Sequence, residues 1–68
     1  MLGSQVRYLR LAAGLSQEQL AELAGVHRTF IGTVERGESN ITLQSVAKLA
    51  RGLKVPIIRL FEKFPTEI

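Results

Sequence analysis

The sequence has no cysteine, no aspartate and a single histidine. Without thiols a disulfide framework is excluded, and His27 alone cannot build a multi-ligand zinc site. No Gly-rich phosphate cradle follows a strand, and no nucleophile, base or metal cluster stands at a recognisable spacing. The chain is therefore not expected to be an enzyme, to carry a cofactor or to bind a small-molecule ligand. Long apolar runs are missing too. Arg7 and Arg10 near the N-terminus have no hydrophobic stretch behind them, so neither a secretory signal nor a membrane span is expected, and the cytoplasm is the expected location.

At 68 residues the chain has room for one domain and is expected to hold no sensing or catalytic module. A chain this short buries only about 60 % of its unfolded surface, and outside support is common at that size. With disulfide and metal gone, oligomerisation remains, which favours a homodimer. Nine Lys and Arg stand against six Glu, for a formal charge of +3. The sign suits a nucleic-acid partner, although a charge this small also occurs on ordinary solvated surfaces.

Gly14, Gly25, Gly37 and Gly52 divide the chain into short blocks rich in good helix formers. Leu2, Val6, Leu9 and Ala13 recur at helical spacing, predicting a first helix over about 2–13 capped by Gly14. Ser16 followed by Gln19 makes a capping box for a second helix of two turns, 17–24, whose stripe is Leu20, Ala21 and Ala24. The third, about 28–36, buries Ile31 and Val34 and leaves Arg28, Thr29, Gly32, Thr33 and Arg36 on its other side. Thr42 caps a fourth with a stripe of Leu43, Val46, Ala47, Ala50 and Leu53. Pro56 suits the first turn of a fifth, about 56–64. There is no strand signal, so the expected fold is all-α, five short helices around one core over residues 1–68.

Helices 2 and 3, with a Gly-containing turn between them, have the dimensions of a helix-turn-helix. The segments Leu15 to Val26, Arg28 to Ile31 and Val34 to Gly37 resemble the helix-turn-helix of the lambdoid phage repressor and Cro superfamily. Val6 to Arg10 before them and Val55, Pro56, Leu60 and Phe61 after them extend the likeness over nearly the whole chain. Arg28-Thr29-Phe30-Ile31 and Asn40-Ile41-Thr42-Leu43 look most like the controller proteins of restriction-modification systems. The resemblance implies a sequence-specific transcriptional regulator that puts helix 3 into the major groove of an operator, a groove about 12 Å wide.

On that reading Arg28, Thr29 and Thr33 meet base edges. Arg28 suits guanine O6 and N7, while the two threonines offer a hydroxyl and a methyl each, or are merely tolerated helix residues. The resemblance sets Gln17 on a phosphate at the positive end of helix 2; its other reading is a surface helix former. Ser39, Asn40 and Thr42, with Arg36 nearby, form a second phosphate contact, and Glu38 among them either weakens it or gives it a specific geometry. Phe30 stands with these backbone contacts, packing being the alternative. Arg10 and Glu35 are implied as an ion pair between helices 1 and 3, against two unrelated surface charges. His27 is a solvated N-cap.

Helix 5 carries more apolar residues than one core stripe of Val55, Leu60 and Phe61 uses. Ile57, Ile58, Phe61 and Phe64 are assigned to a two-fold interface that would set two reading helices about 34 Å apart on a palindrome. The alternative is a core that wraps this helix within the monomer. Repression and activation share the same groove contacts and differ in operator position and in any surface for RNA polymerase, which the sequence does not mark. A rival function is an antitoxin-like protein-binding module that also autoregulates through DNA. Arg59 and Lys63 do not make the basic face a membrane-surface helix needs.

Overall fold

The computed structural model describes residues 2–38 and 40–61, and all regular structure in it is helical: α1 (Leu2–Ala12), α2 (Gln17–Ala24), α3 (Arg28–Glu35), α4 (Leu43–Leu53) and one 3-10 helix, Ile57–Phe61. Over its described part, which ends at Phe61, the expected fifth α-helix of about 56–64 is thus corrected to a tight 3-10 segment. Within it the Arg59 N–H donates to the Pro56 carbonyl at 3.0 Å, the shorter i→i+3 bond. Phe64 and Ser39 lie outside the described residues.

Each α-helix ends where the chain turns left-handed. Gly14, Gly25 and Gly37 have φ of 74°, 73° and 75°, which costs glycine nothing. Gly52 is different from the expected boundary. It is buried inside α4, and the residue that takes the left-handed cap is Lys54, φ 60°. A Cβ on Gly52 would stand 3.0 Å from the Ala24 Cβ and backbone nitrogen, so this glycine is where α4 crosses α2 at close range. The start of α2 is held as its sequence foretells: the Ser16 hydroxyl accepts from the Gln19 N–H and the Gln19 side chain accepts from the Ser16 N–H. α3 begins at His27 without a side-chain cap bond.

The core is built from Val6 and Leu9 of α1, Leu20, Ala21 and Ala24 of α2, Ile31 and Val34 of α3, Val46, Leu49, Ala50 and Leu53 of α4, and Leu60. α2 packs on α3 and α4, while α1 packs on α3 and the 3-10 segment. The buried stripe of α4 is rotated from the expected one. Leu43, the first residue of the helix, is 73 % exposed, and Leu49 is fully buried. Ala13 is likewise exposed, just past the end of α1.

Two features of α1 had no sequence signal. Gln5 is buried, and its Nε2 donates to the Arg59 carbonyl at 2.7 Å, tying α1 to the 3-10 segment. Gly3 meets α3 backbone to backbone: a Cβ there would overlap the Val34 carbonyl oxygen and lie 2.9 Å from that of Glu35. The absence of a side chain lets α1 approach the last turn of α3, where these two carbonyls sit.

Candidate nucleic-acid interface

α3 buries Ile31, Gly32 and Val34 and leaves Arg28 and Thr29 exposed on its first turn. A helix that starts with exposed polar residues and no side-chain cap, its apolar Phe30 and Ile31 turned to the core, is one that can enter a groove and reach base edges. Arg28 adds five fixed N–H donors at that position. Thr33 is half-buried, and its hydroxyl donates to the Phe30 carbonyl at 2.9 Å. Its proton is thus used within the helix. Phe30 is half-buried and packs against the hydrophobic core, so packing accounts for much of its ring.

Behind this face lies a polar cluster. Arg10 Nε donates to Glu35 Oε2 at 2.6 Å and Nη2 to Glu35 Oε1 at 3.0 Å, while Nη1 donates to the Leu15 carbonyl at 2.9 Å. The two side chains are 9 % and 5 % exposed, so the fork-on-carboxylate pair is largely desolvated and geometrically strict. It ties α1 to the end of α3 and to the loop before α2. Burial pushes the Glu35 carboxyl up, but hydrogen bonds from Arg10 and Gln17 and the fields of Arg10 and Arg7 outweigh it, leaving the group below its ordinary 4.5.

Gln17, the first residue of α2, is half-buried and donates from Nε2 to Glu35 Oε1 at 3.1 Å. One amide hydrogen is therefore committed to Glu35. Nothing in the sequence singled out this bond, since Gln17 and Glu35 are eighteen positions apart.

Arg36 follows α3 and is exposed. Its Nε lies 3.1 Å from Glu38 Oε1, with both side chains 58 % exposed. Glu38, the departure from a basic loop, thus acts on the geometry of the cation next to it. Asn40 is exposed, and Thr42 caps α4: its hydroxyl accepts from the Ser45 N–H and donates to the Ser45 hydroxyl, both at 3.1 Å. The Thr42 hydroxyl is thus occupied by the cap of α4.

On the 3-10 segment Ile57, Ile58 and Phe61 are 39 %, 64 % and 58 % exposed, whereas Leu60 is fully buried. Phe61 therefore does not serve the core stripe with Val55 and Leu60, and the monomer does not wrap this segment among the described residues. Those residues hold no group of three or more His, Cys, Asp or Glu suited to a metal, and no helix long and apolar enough to cross a membrane.

Residues 6–60 match the family described as Helix-turn-helix. The chain is 46 % identical over 63 residues to the control protein C.SmaI of Serratia marcescens, spanning 93 % of this chain and 75 % of that one. It is 39 % identical over 56 residues to the control protein C.BamHI of Bacillus amyloliquefaciens, spanning 81 % and 69 %. The crystal structure of the restriction-modification controller protein C.AhdI from Aeromonas hydrophila superposes with a TM-score of 0.87 at 47 % identity, covering 88 % of this chain and 91 % of that one. The chain belongs to the helix-turn-helix family, and within it is a DNA-binding transcriptional regulator similar to the restriction-modification controller proteins.

Proposed function

We propose that this chain is a single-domain regulator that binds a palindromic operator as a homodimer, in the manner of a restriction-modification controller and without enzymatic activity. The observation that carries the reading is the first turn of α3, where Arg28 and Thr29 stand exposed on a helix fixed from behind by the Arg10–Glu35 pair. Arg28 reads guanine, with Thr29 and the Thr33 methyl completing the base contacts. Gln17 and Arg36 hold the phosphate backbone, joined by the loop of Ser39, Asn40 and Thr42, with the Phe30 edge beside it. Ile57, Ile58 and Phe61, with Phe64, make the two-fold contact. A patch shared by two copies about an axis places both reading helices on one side of the duplex, about one turn apart.

Selection from a random duplex library at near-physiological salt tests this. The expected result is an enriched inverted repeat with half-sites about one helical turn apart. Binding that depends on salt and not on sequence would refute it, and would move the case toward the protein-binding reading.

A further inference from the structure

Gly32 lies in the middle of α3, where glycine is a poor helix former by about 1 kcal/mol against alanine. Its conformation is ordinary helix, so no turn explains it. The space above it is taken by two side chains. A Cβ on Gly32 would stand 3.2 Å from Arg36 Nη1 and 3.8 Å from Gln17 Oε1. Residue 32 is buried by these groups although it stands on the polar side of the helix.

The orientation of both is set from their far ends. Glu35 accepts from Gln17 Nε2, so the amide oxygen must turn the other way, over Gly32, where its dipole favours a cation. Glu38 draws Arg36 by Nε, which leaves the Nη groups turned toward the helix. The guanidinium thus lies back over Gly32, on the same side of α3 as the Gln17 amide oxygen.

We propose that Gly32 is a positioning residue: its missing side chain is the seat that lets Arg36 fold across α3 and share one DNA phosphate with Gln17. This rests on the DNA-reading function above. A planar fork and a point donor converging on one phosphate fix its place as well as its charge. The phosphate carries no sequence information, so the effect is on affinity at every site alike.

The variants Gly32→Ala and Gly32→Met test it on the operator selected with the wild-type protein. Alanine asks Arg36 to give way by a few tenths of an ångström; methionine fills the seat. Both are better helix formers, so the melting temperature at fixed protein concentration is expected to stay level or rise by a few degrees. Operator affinity falls for Gly32→Met on the order of tenfold per half-site, less for Gly32→Ala. The log–log salt slope of the dimer falls by about 2, one phosphate per half-site. The preferred sequence does not change. On an Arg36→Ala background, Gly32→Met brings no further loss.

Unchanged affinity in Gly32→Met overturns the proposal, as does a full additional loss on the Arg36→Ala background, which would mean that residue 32 meets DNA itself. So does a changed sequence preference. A failure of the underlying DNA reading shows separately, in the wild-type protein selecting no sequence.

Discussion

Replacing Arg10 with methionine removes the donors of three hydrogen bonds while keeping the aliphatic bulk, and leaves the Glu35 carboxylate 5 % exposed with, among the described residues, the Gln17 hydrogen bond. Breaking a buried pair from one side costs about 3–5 kcal/mol, because the remaining charge stays desolvated and uncompensated. A chain of 68 residues has roughly 3–10 kcal/mol of stability in all. The substitution therefore removes a large part of it. Urea titrations at fixed protein concentration, at pH 7 and pH 4, measure the difference. In the wild type Glu35 titrates below 4.5, so its contribution is present above that pH and is lost as pH falls through the lower folded value. In Arg10→Met burial dominates and the folded value moves upward, so the penalty is full at neutral pH and shrinks as the group takes up a proton. The gap between the two proteins is widest at pH 7 and narrows toward pH 4. Adding Glu35→Leu to Arg10→Met removes the stranded charge and recovers most of the loss. A gap under about 1 kcal/mol at pH 7, or one that does not change with pH, would refute the assignment of this pair as a buried strut.

Gly3→Ala is expected to destabilise by about 1–3 kcal/mol or more despite the better helix propensity, since its Cβ meets backbone carbonyls that no rotamer change can move; thermal melts check it, and a gain in stability would rule out the close approach of α1 to α3. Arg28→Ala should relax base preference at one operator position by about 1–3 kcal/mol, and Gln17→Ala should weaken all duplexes alike, both read by competition binding over single-base operator variants. An unchanged preference in the first would send the guanine contact to another residue. Ile58→Asp should lower the apparent mass in sedimentation and weaken operator binding together, because a charge is set into an exposed apolar patch; an intact dimer would place the interface elsewhere.

The parts of this fold that depend on local chemistry were legible in the sequence. Ser16 with Gln19, Gly25, Gly37 and Thr42 are capping residues whose effect needs only the adjacent turn, and they located α2, α3 and the start of α4 within a residue or so. What escaped was set by contacts between distant segments. Gly52 read as a break because glycine is a common helix end, whereas its role is to admit Ala24 of α2. Leu43 and Leu49 both satisfy a helical period, and only the position of α2 decides which is buried. Pro56 and the apolar residues after it suit a first α turn and a 3-10 turn alike. In the candidate site, residue type marked Arg28 and the family resemblance implied the Arg10–Glu35 pair, but the bond from Gln17 to Glu35 and the folding of Arg36 over Gly32 belong to no motif, since they arise where α2 and α3 meet.

The contact of Gly3 with the last carbonyls of α3 and the grip of Arg10 on Glu35 are both at the same end of that helix. α3 is thus clamped at its C-terminal end and seated along its length by Ile31 and Val34 in the core, and it carries Arg28 and Thr29 exposed at its N-terminal tip. Its eight residues span roughly 12 Å at about 1.5 Å per residue. A tilt of about 5° at the clamp then moves the tip by about 1 Å, comparable to the tolerance of a bidentate hydrogen bond. On the proposed reading of Arg28 and Thr29 as base contacts, small changes in α1 therefore have the leverage to retune which operators are read.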